Sequence, residues 1–204
     1  ESLEPWQDKN PALVEVDLAA LAYTAAVEAS LEDITFTAEP GQTIGIIGGT
    51  GSGKTSLVHM IPRFYDATEG SVRINGQDVK SYRLEELRQN IGIVMQKAVL
   101  FHGSIRENIH WGNPDADDKQ INEALELAQA SEVVAGKPEG LDYEIEQGGR
   151  NLSGGQRQRF TIARALVRKP SILVLDDSAS ELDYATDQRL RKANGTLHNT
   201  STLI

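Results

Sequence analysis

Cysteine is absent from the 204-residue chain, which rules out disulfides, thiolate catalysis and cysteine-ligated metals. Basic charge is also in short supply: 20 Lys and Arg stand against 30 Asp and Glu, for a formal net charge of −10. A general binder of nucleic-acid backbone needs a basic stripe, so that class is excluded. An anionic ligand must instead be met by a local site rather than by the overall field. No stretch approaches the roughly 18 consecutive apolar residues of a membrane-spanning helix. No basic, apolar and small-residue succession marks a signal peptide. Internal repeats and low-complexity tracts are missing as well.

What is present suits one α/β domain with room for an inserted subdomain: 39% hydrophobic and 25% charged residues. Short apolar runs read as strands at Ile34–Thr37, at 42–48 (QTIGIIG), at 70–75 (GSVRIN, closed by the Asn75-Gly76 turn), at 91–95 and at 171–177. A helix-compatible segment, KTSLVHMIPRF, follows the second run, and helical periodicity dominates from about 103 to 168. Strands alternating with helices imply a mostly parallel sheet covered by helices. Residues 1–12 read as a linker and 13–204 as the domain, with its helical part at about 98–168. The chain opens at Glu1 and closes on the apolar Thr202-Leu203-Ile204, the start of a buried strand, so it reads as part of a longer polypeptide.

Two motifs carry chemistry. The run 42–48 enters GGTGSGKT, which fits G-x-x-x-x-G-K-[ST] in a strand–loop–helix context. In such a loop Gly48, Gly49, Thr50, Gly51, Ser52 and Gly53 let backbone N–H groups curl around phosphate oxygens, with Ser56 in the first turn of the helix behind. Lys54 reaches the β- and γ-phosphates, and the Thr55 hydroxyl is a Mg²⁺ ligand. The competing reading is a flexible glycine-rich turn. His59, on the same helix, reads as a packing or surface histidine. The second motif is the apolar run 172–175 ending in Asp176, which delivers a carboxylate to the strand end where α/β proteins bind ligands. Asp176 is thus a Mg²⁺-side carboxylate opposite Thr55. Together the two motifs point to a nucleotide with Mg²⁺.

LSGGQRQR at 152–159 resembles the signature motif of ATP-binding cassette (ABC) proteins. Ser153, Gly154, Gly155 and Gln156 open a helix, so hydroxyl, amides and dipole can face a phosphate. The same stretch also reads as an ordinary helix N-cap. Other segments resemble the family in the expected order. Gln96 is similar to its Q-loop glutamine, which contacts Mg²⁺ and water; Tyr23 to the aromatic residue that stacks on adenine; Asp183 to the D-loop aspartate facing a partner chain. VLFHGSIRENI at 99–109 and EIEQGGR at 144–150 are exporter-like.

The resemblance implies a P-loop NTPase (RecA-like) core with an antiparallel β subdomain and an inserted α-helical subdomain. It also implies ATP and Mg²⁺ as ligands and two cassettes in a head-to-tail dimer. Each ATP then lies between the phosphate loop of one chain and the signature of the other. A transmembrane domain of the same polypeptide, joined through the linker, sets the location at the cytoplasmic face of the cell membrane. Nucleic acid is not an expected partner. A DNA-repair ABC ATPase is disfavoured, because its coiled-coil insertion does not fit between Thr55 and Ser153.

One position departs from the pattern. The residue after the Mg²⁺ aspartate is usually a catalytic Glu in hydrolytically competent members, and here it is Asp177. Asp is shorter by about 1.5 Å, one carbon–carbon bond. A base misplaced by about 1 Å can lose on the order of a hundredfold in rate. Ser178 and Glu181 also differ from common family residues, and Glu181 reads as a solvated loop acid rather than a substitute base. A weak base beside an intact signature is the pattern of the degenerate half of a heterodimeric exporter. The alternatives are a homodimeric exporter that turns over slowly with Asp177, and a nucleotide-binding regulatory module that never hydrolyses. The family's switch histidine is expected beyond Ile204; His198 falls too early to be assigned. The Asn194-Gly195 pair interrupts a region that is usually a continuous helix, and it has no functional account.

Overall fold

The structure, a computed structural model, describes residues 4–6, 12–21, 31–176 and 200–204. They fall into two compact units. The first takes the chain up to Ile91 together with Ser171–Asp176 and the last residues; the second takes Gly92–Pro170.

In the first unit, β1 (Val14–Leu21) lies between β2 (Leu31–Ala38) and β4 (Glu69–Ile74), all antiparallel, and β4 turns into β5 (Gln77–Asp78). The turn is Asn75-Gly76 with φ of 55° and 81°, both left-handed, as a two-residue hairpin requires. β1 buries Val14 and Val16, then Ala19 and Leu21. Those pairs are out of phase by one residue, and the ladder to β2 is irregular between Val16 and Ala19. A bulge there lets both halves of the strand face the core. Below the sheet, Tyr82 is fully buried and its hydroxyl donates to the Ile74 carbonyl at 2.9 Å.

Of the expected linker, the described residues Glu4–Trp6 are fastened to this unit. Glu4 N–H donates to Ser81 O at 2.8 Å, and the Trp6 ring packs on Tyr82 at 5.4 Å. Trp6 N–H also donates to Glu86 Oε2 at 2.9 Å, at the start of α2 (Leu84–Gln89). That backbone donor is the main cause holding the Glu86 carboxyl below its ordinary range.

A parallel set completes the unit: β3 (Thr43–Ile44), β10 (Ser201–Leu203) and β9 (Ile172–Leu175), with β10 in the middle. All four residues of β9 are buried, as a strand covered on both faces should be. The run 42–48, expected to be a strand throughout, is regular only at Thr43–Ile44. Its pairing continues as far as Ile46 N–H, which donates to Ile204 O at 2.6 Å. Ile47, the next residue along, is 99% exposed.

The second unit begins within β6 (Ile91–Val94), at Gly92. Around α6 (Gly154–Leu166) pack α3 (Ile105–His110) and α4 (Asp118–Leu127), with α5 (Ser131–Ala135) against α4. α4 buries Ile121, Ala124 and Leu125, the i, i+3, i+4 stripe of an amphipathic helix. Reciprocal capping boxes start α3 (Ser104 with Glu107), α4 (Asp117 with Gln120) and α6 (Ser153 with Gln156). Helical periodicity does not foretell the small antiparallel ribbon of β7 (Gly103–Ser104) and β8 (Glu144–Ile145), which interrupts the helices. Two-residue strands are too short to show a period.

Asn108 organises the approach to that ribbon. It is 1% exposed; its amide donates to the Phe101 and Ser104 carbonyls at 3.0 Å each, and its oxygen accepts from Phe101 N–H at 2.9 Å. Asn108→Ala removes three part-buried hydrogen bonds made by a buried side chain and is expected to cost about 1–3 kcal/mol. Chemical denaturation that leaves the midpoint unchanged would contradict that role.

Candidate functional site

The phosphate-loop residues Gly48–Thr55 run from the end of the β3 pairing into α1 (Lys54–Met60). Gly51 and Gly53 have φ of 79° and 86°, the left-handed region that a Cβ resists. Gly48 faces Ser52: a Cβ there would collide with the Ser52 hydroxyl. Backbone conformation thus favours glycine at positions 51 and 53, and at 48 a side chain would have to displace the Ser52 hydroxyl. Gly53 serves as the N-cap of α1 without any side-chain cap, leaving its first N–H groups directed at the loop. Lys54 Nζ donates to the carbonyls of Gly48 and, at 3.1 Å, Gly49, so the ammonium sits over the loop.

Asp176 follows β9 and is 6% exposed. Its Oδ1 accepts from Thr55 Oγ1 at 2.9 Å. The loop hydroxyl and the strand-end carboxylate, separated by 121 positions in sequence, therefore meet. Two hard oxygens side by side fit Mg²⁺, which takes one or two protein oxygens and completes its shell with water and phosphate. Among the described residues no cluster of three or more His, Cys, Asp or Glu offers a competing cage.

His59, expected as a packing or surface histidine, packs against Phe64 and Tyr65. It is buried, and its Nε2 lies 3.5 Å from Asp176 Oδ2. Burial pushes the imidazole below its ordinary pKa, and the Asp176 charge partly opposes that shift. The signal was available: His59 is four residues beyond Thr55, on the same face of α1.

In the second unit, Ser153 caps α6. Its Oγ accepts from Gln156 N–H at 3.2 Å, while Gln156 Oε1 accepts from Ser153 N–H at 3.1 Å. The two side chains are thus engaged in the cap, and the Ser153 hydroxyl keeps its own hydrogen to donate. Gln96, just beyond β6, is exposed. Tyr23, Asp177, Ser178, Glu181, Asp183, Asn194, Gly195 and His198 lie outside the described residues. Ser153→Ala removes the cap and is expected to cost about 1 kcal/mol, with Ser153→Asn retaining most of it. Equal thermal midpoints for Ser153→Ala and the parent would show that the box contributes nothing.

Comparison with known proteins agrees with this geometry. The ABC transporter family profile matches residues 31–180. An uncharacterized ABC transporter ATP-binding protein of Bacillus subtilis (strain 168), YfiB, is 43% identical over 97% of this chain and 34% of its own length. The beta-(1→2)glucan export ATP-binding/permease protein NdvA of Rhodopseudomonas palustris (strain BisB5) is 44% identical over 80% of this chain and 27% of its own. The chain thus spans about a third of the length of the curated relatives it matches. A solved structure of a bacterial Atm1-family ABC exporter with ATP bound superposes with a TM-score of 0.90 at 32% identity, covering 98% of this chain and 35% of that one. On this profile match and these identities, the chain has the ABC ATPase fold and belongs to the ABC transporter family.

Proposed function

We propose that this chain is the nucleotide-binding domain of an ABC exporter, holding ATP with Mg²⁺ on the Gly48–Ser56 loop. The observation that carries the reading is the 2.9 Å Thr55–Asp176 hydrogen bond beside that loop. It supports a cation site at the place where the loop would receive the terminal phosphates. In this reading Lys54 leaves the Gly48 and Gly49 carbonyls for the β- and γ-phosphates, while the loop amides cradle the phosphate oxygens. Thr55 and Asp176 would hold Mg²⁺, with Gln96 as a further candidate ligand. When bound, Mg²⁺ neutralises charge developing on the transferring phosphoryl group.

Adenine stacks on Tyr23. Ser153–Gln156 and Asp183 act across a head-to-tail dimer, the Ser153 hydroxyl donating to the partner's ATP. A transmembrane domain of the same polypeptide places the site at the cytoplasmic face of the cell membrane. Support comes from NdvA, named as an ATP-binding/permease protein, of whose length this chain covers 27%. Its name gives export of beta-(1→2)glucan, which supports export as the direction and leaves this chain's cargo open.

Asp177 in the position of the usual catalytic Glu makes this chain's own site weakly hydrolytic. Its signature then completes a competent site on a different partner subunit.

Two measurements test this reading. Lys54→Ala is expected to weaken ATP binding by about tenfold to a hundredfold, the loss of one or two charge-assisted hydrogen bonds; undiminished affinity in a nucleotide titration would remove the phosphate loop from the mechanism. Asp177→Glu, in the assembled transporter, is expected to raise turnover at this site by on the order of a hundredfold. Unchanged turnover would overturn the degenerate-site reading and leave the ATP-binding reading standing.

A further inference from the structure

Asp176 has two oxygens, and the nucleotide-site reading uses only one. Oδ1 takes the Thr55 hydroxyl at 2.9 Å. Oδ2 faces His59 Nε2 at 3.5 Å, between side chains that are 6% and 8% exposed. Nε2 is itself buried and, among the described residues, has no hydrogen-bond partner. The imidazole is fixed from two other sides. Phe64 meets it edge-on at 5.3 Å and 78°, and Tyr65 stacks at 6.4 Å and 21°. The Phe64 N–H donates to the His59 carbonyl at 3.0 Å, which ties this aromatic pair to the end of α1. A buried nitrogen without a partner, aimed at the second oxygen of a candidate metal carboxylate, calls for a use.

We propose that His59 is a positioning residue for Asp176: its imidazole, with the proton on Nε2, secures Oδ2 so that Oδ1 stays turned toward Thr55 and the cation. The inference rests on the reading of Thr55 and Asp176 as the Mg²⁺ pair. The gap exceeds an ordinary N–H···O bond by about half an ångström, within reach of a small rotation of the carboxylate or the ring. The choice of side chain follows from the charge the metal needs. A Lys or Arg here would neutralise the carboxylate and compete with the cation. An apolar residue would leave Oδ2 buried and unpartnered. A neutral imidazole orients the anion and leaves its charge for the metal, the usual arrangement for outer partners of metal-binding carboxylates.

The test uses the full-length protein with His59→Leu and His59→Gln, the latter returning an N–H at similar reach. Two affinities are read: ATP in the presence of EDTA, and Mn²⁺ for the ATP-loaded protein by electron paramagnetic resonance. His59→Leu is expected to weaken Mn²⁺ about tenfold or more while ATP affinity in EDTA stays within about twofold, and His59→Gln to recover Mn²⁺ to within about threefold. Unchanged Mn²⁺ affinity in His59→Leu overturns the proposal. So does an equal loss in both variants, or a matching loss of ATP affinity in EDTA, since either marks His59 as packing alone. A parent protein that binds ATP without any divalent contribution overturns the Mg²⁺ reading of Thr55 and Asp176, and this inference with it.

Discussion

The parallel pairing of β3, β10 and β9 is the constraint on which the candidate site depends. β10 pairs with both neighbours, Thr202 opposite Thr43 and Leu173, so the three strands run in step. One end releases the phosphate loop and another releases Asp176. The 2.9 Å contact between Thr55 and Asp176 is then a consequence of strand register, more than of any attraction between two side chains. A single hydrogen bond contributes on the order of 1 kcal/mol. The buried strands that hold its two ends contribute far more.

The same economy shapes the second unit. Its three longest helix starts that carry side-chain caps, at Ser104, Asp117 and Ser153, use the same reciprocal box. Each box satisfies two N–H groups that the helix cannot satisfy itself. At Ser153 the motif that marks the family and the motif that stabilises a helix are one set of atoms. A purely local reading of LSGGQ as a cap and a functional reading of it as a phosphate contact are therefore compatible.

Much of this was legible in the residues alone, where local rules are strong. GGTGSGKT specifies left-handed glycines and a helix start. Four apolar residues before Asp176 specify a buried strand. Asn75-Gly76 specifies a hairpin. What was not legible depends on partners far along the chain. The regular part of 42–48 is only Thr43–Ile44, and its pairing is with β10, about 160 positions further along the chain. The role of Asn108 depends on where the Phe101 backbone lies. His59 sat between the two cases: its helical spacing from Thr55 was visible, but Asp176 came near only through the sheet. Single histidines on a helix more often pack than act, so spacing alone gave no reason to prefer the second.

The bulge in β1 has a consequence of another kind. Val14 and Val16 face inward on one count, Ala19 and Leu21 on the next, and the register against β2 shifts by one residue between the two. Length and burial are thereby uncoupled at one point in the sheet. A shortening by one residue between Asp17 and Ala19 would bring the two halves into a single alternation with the same side chains inward, whereas the same shortening elsewhere in β1 would turn half of its core face to water. The strand has one place where it is spliceable and many where it is not.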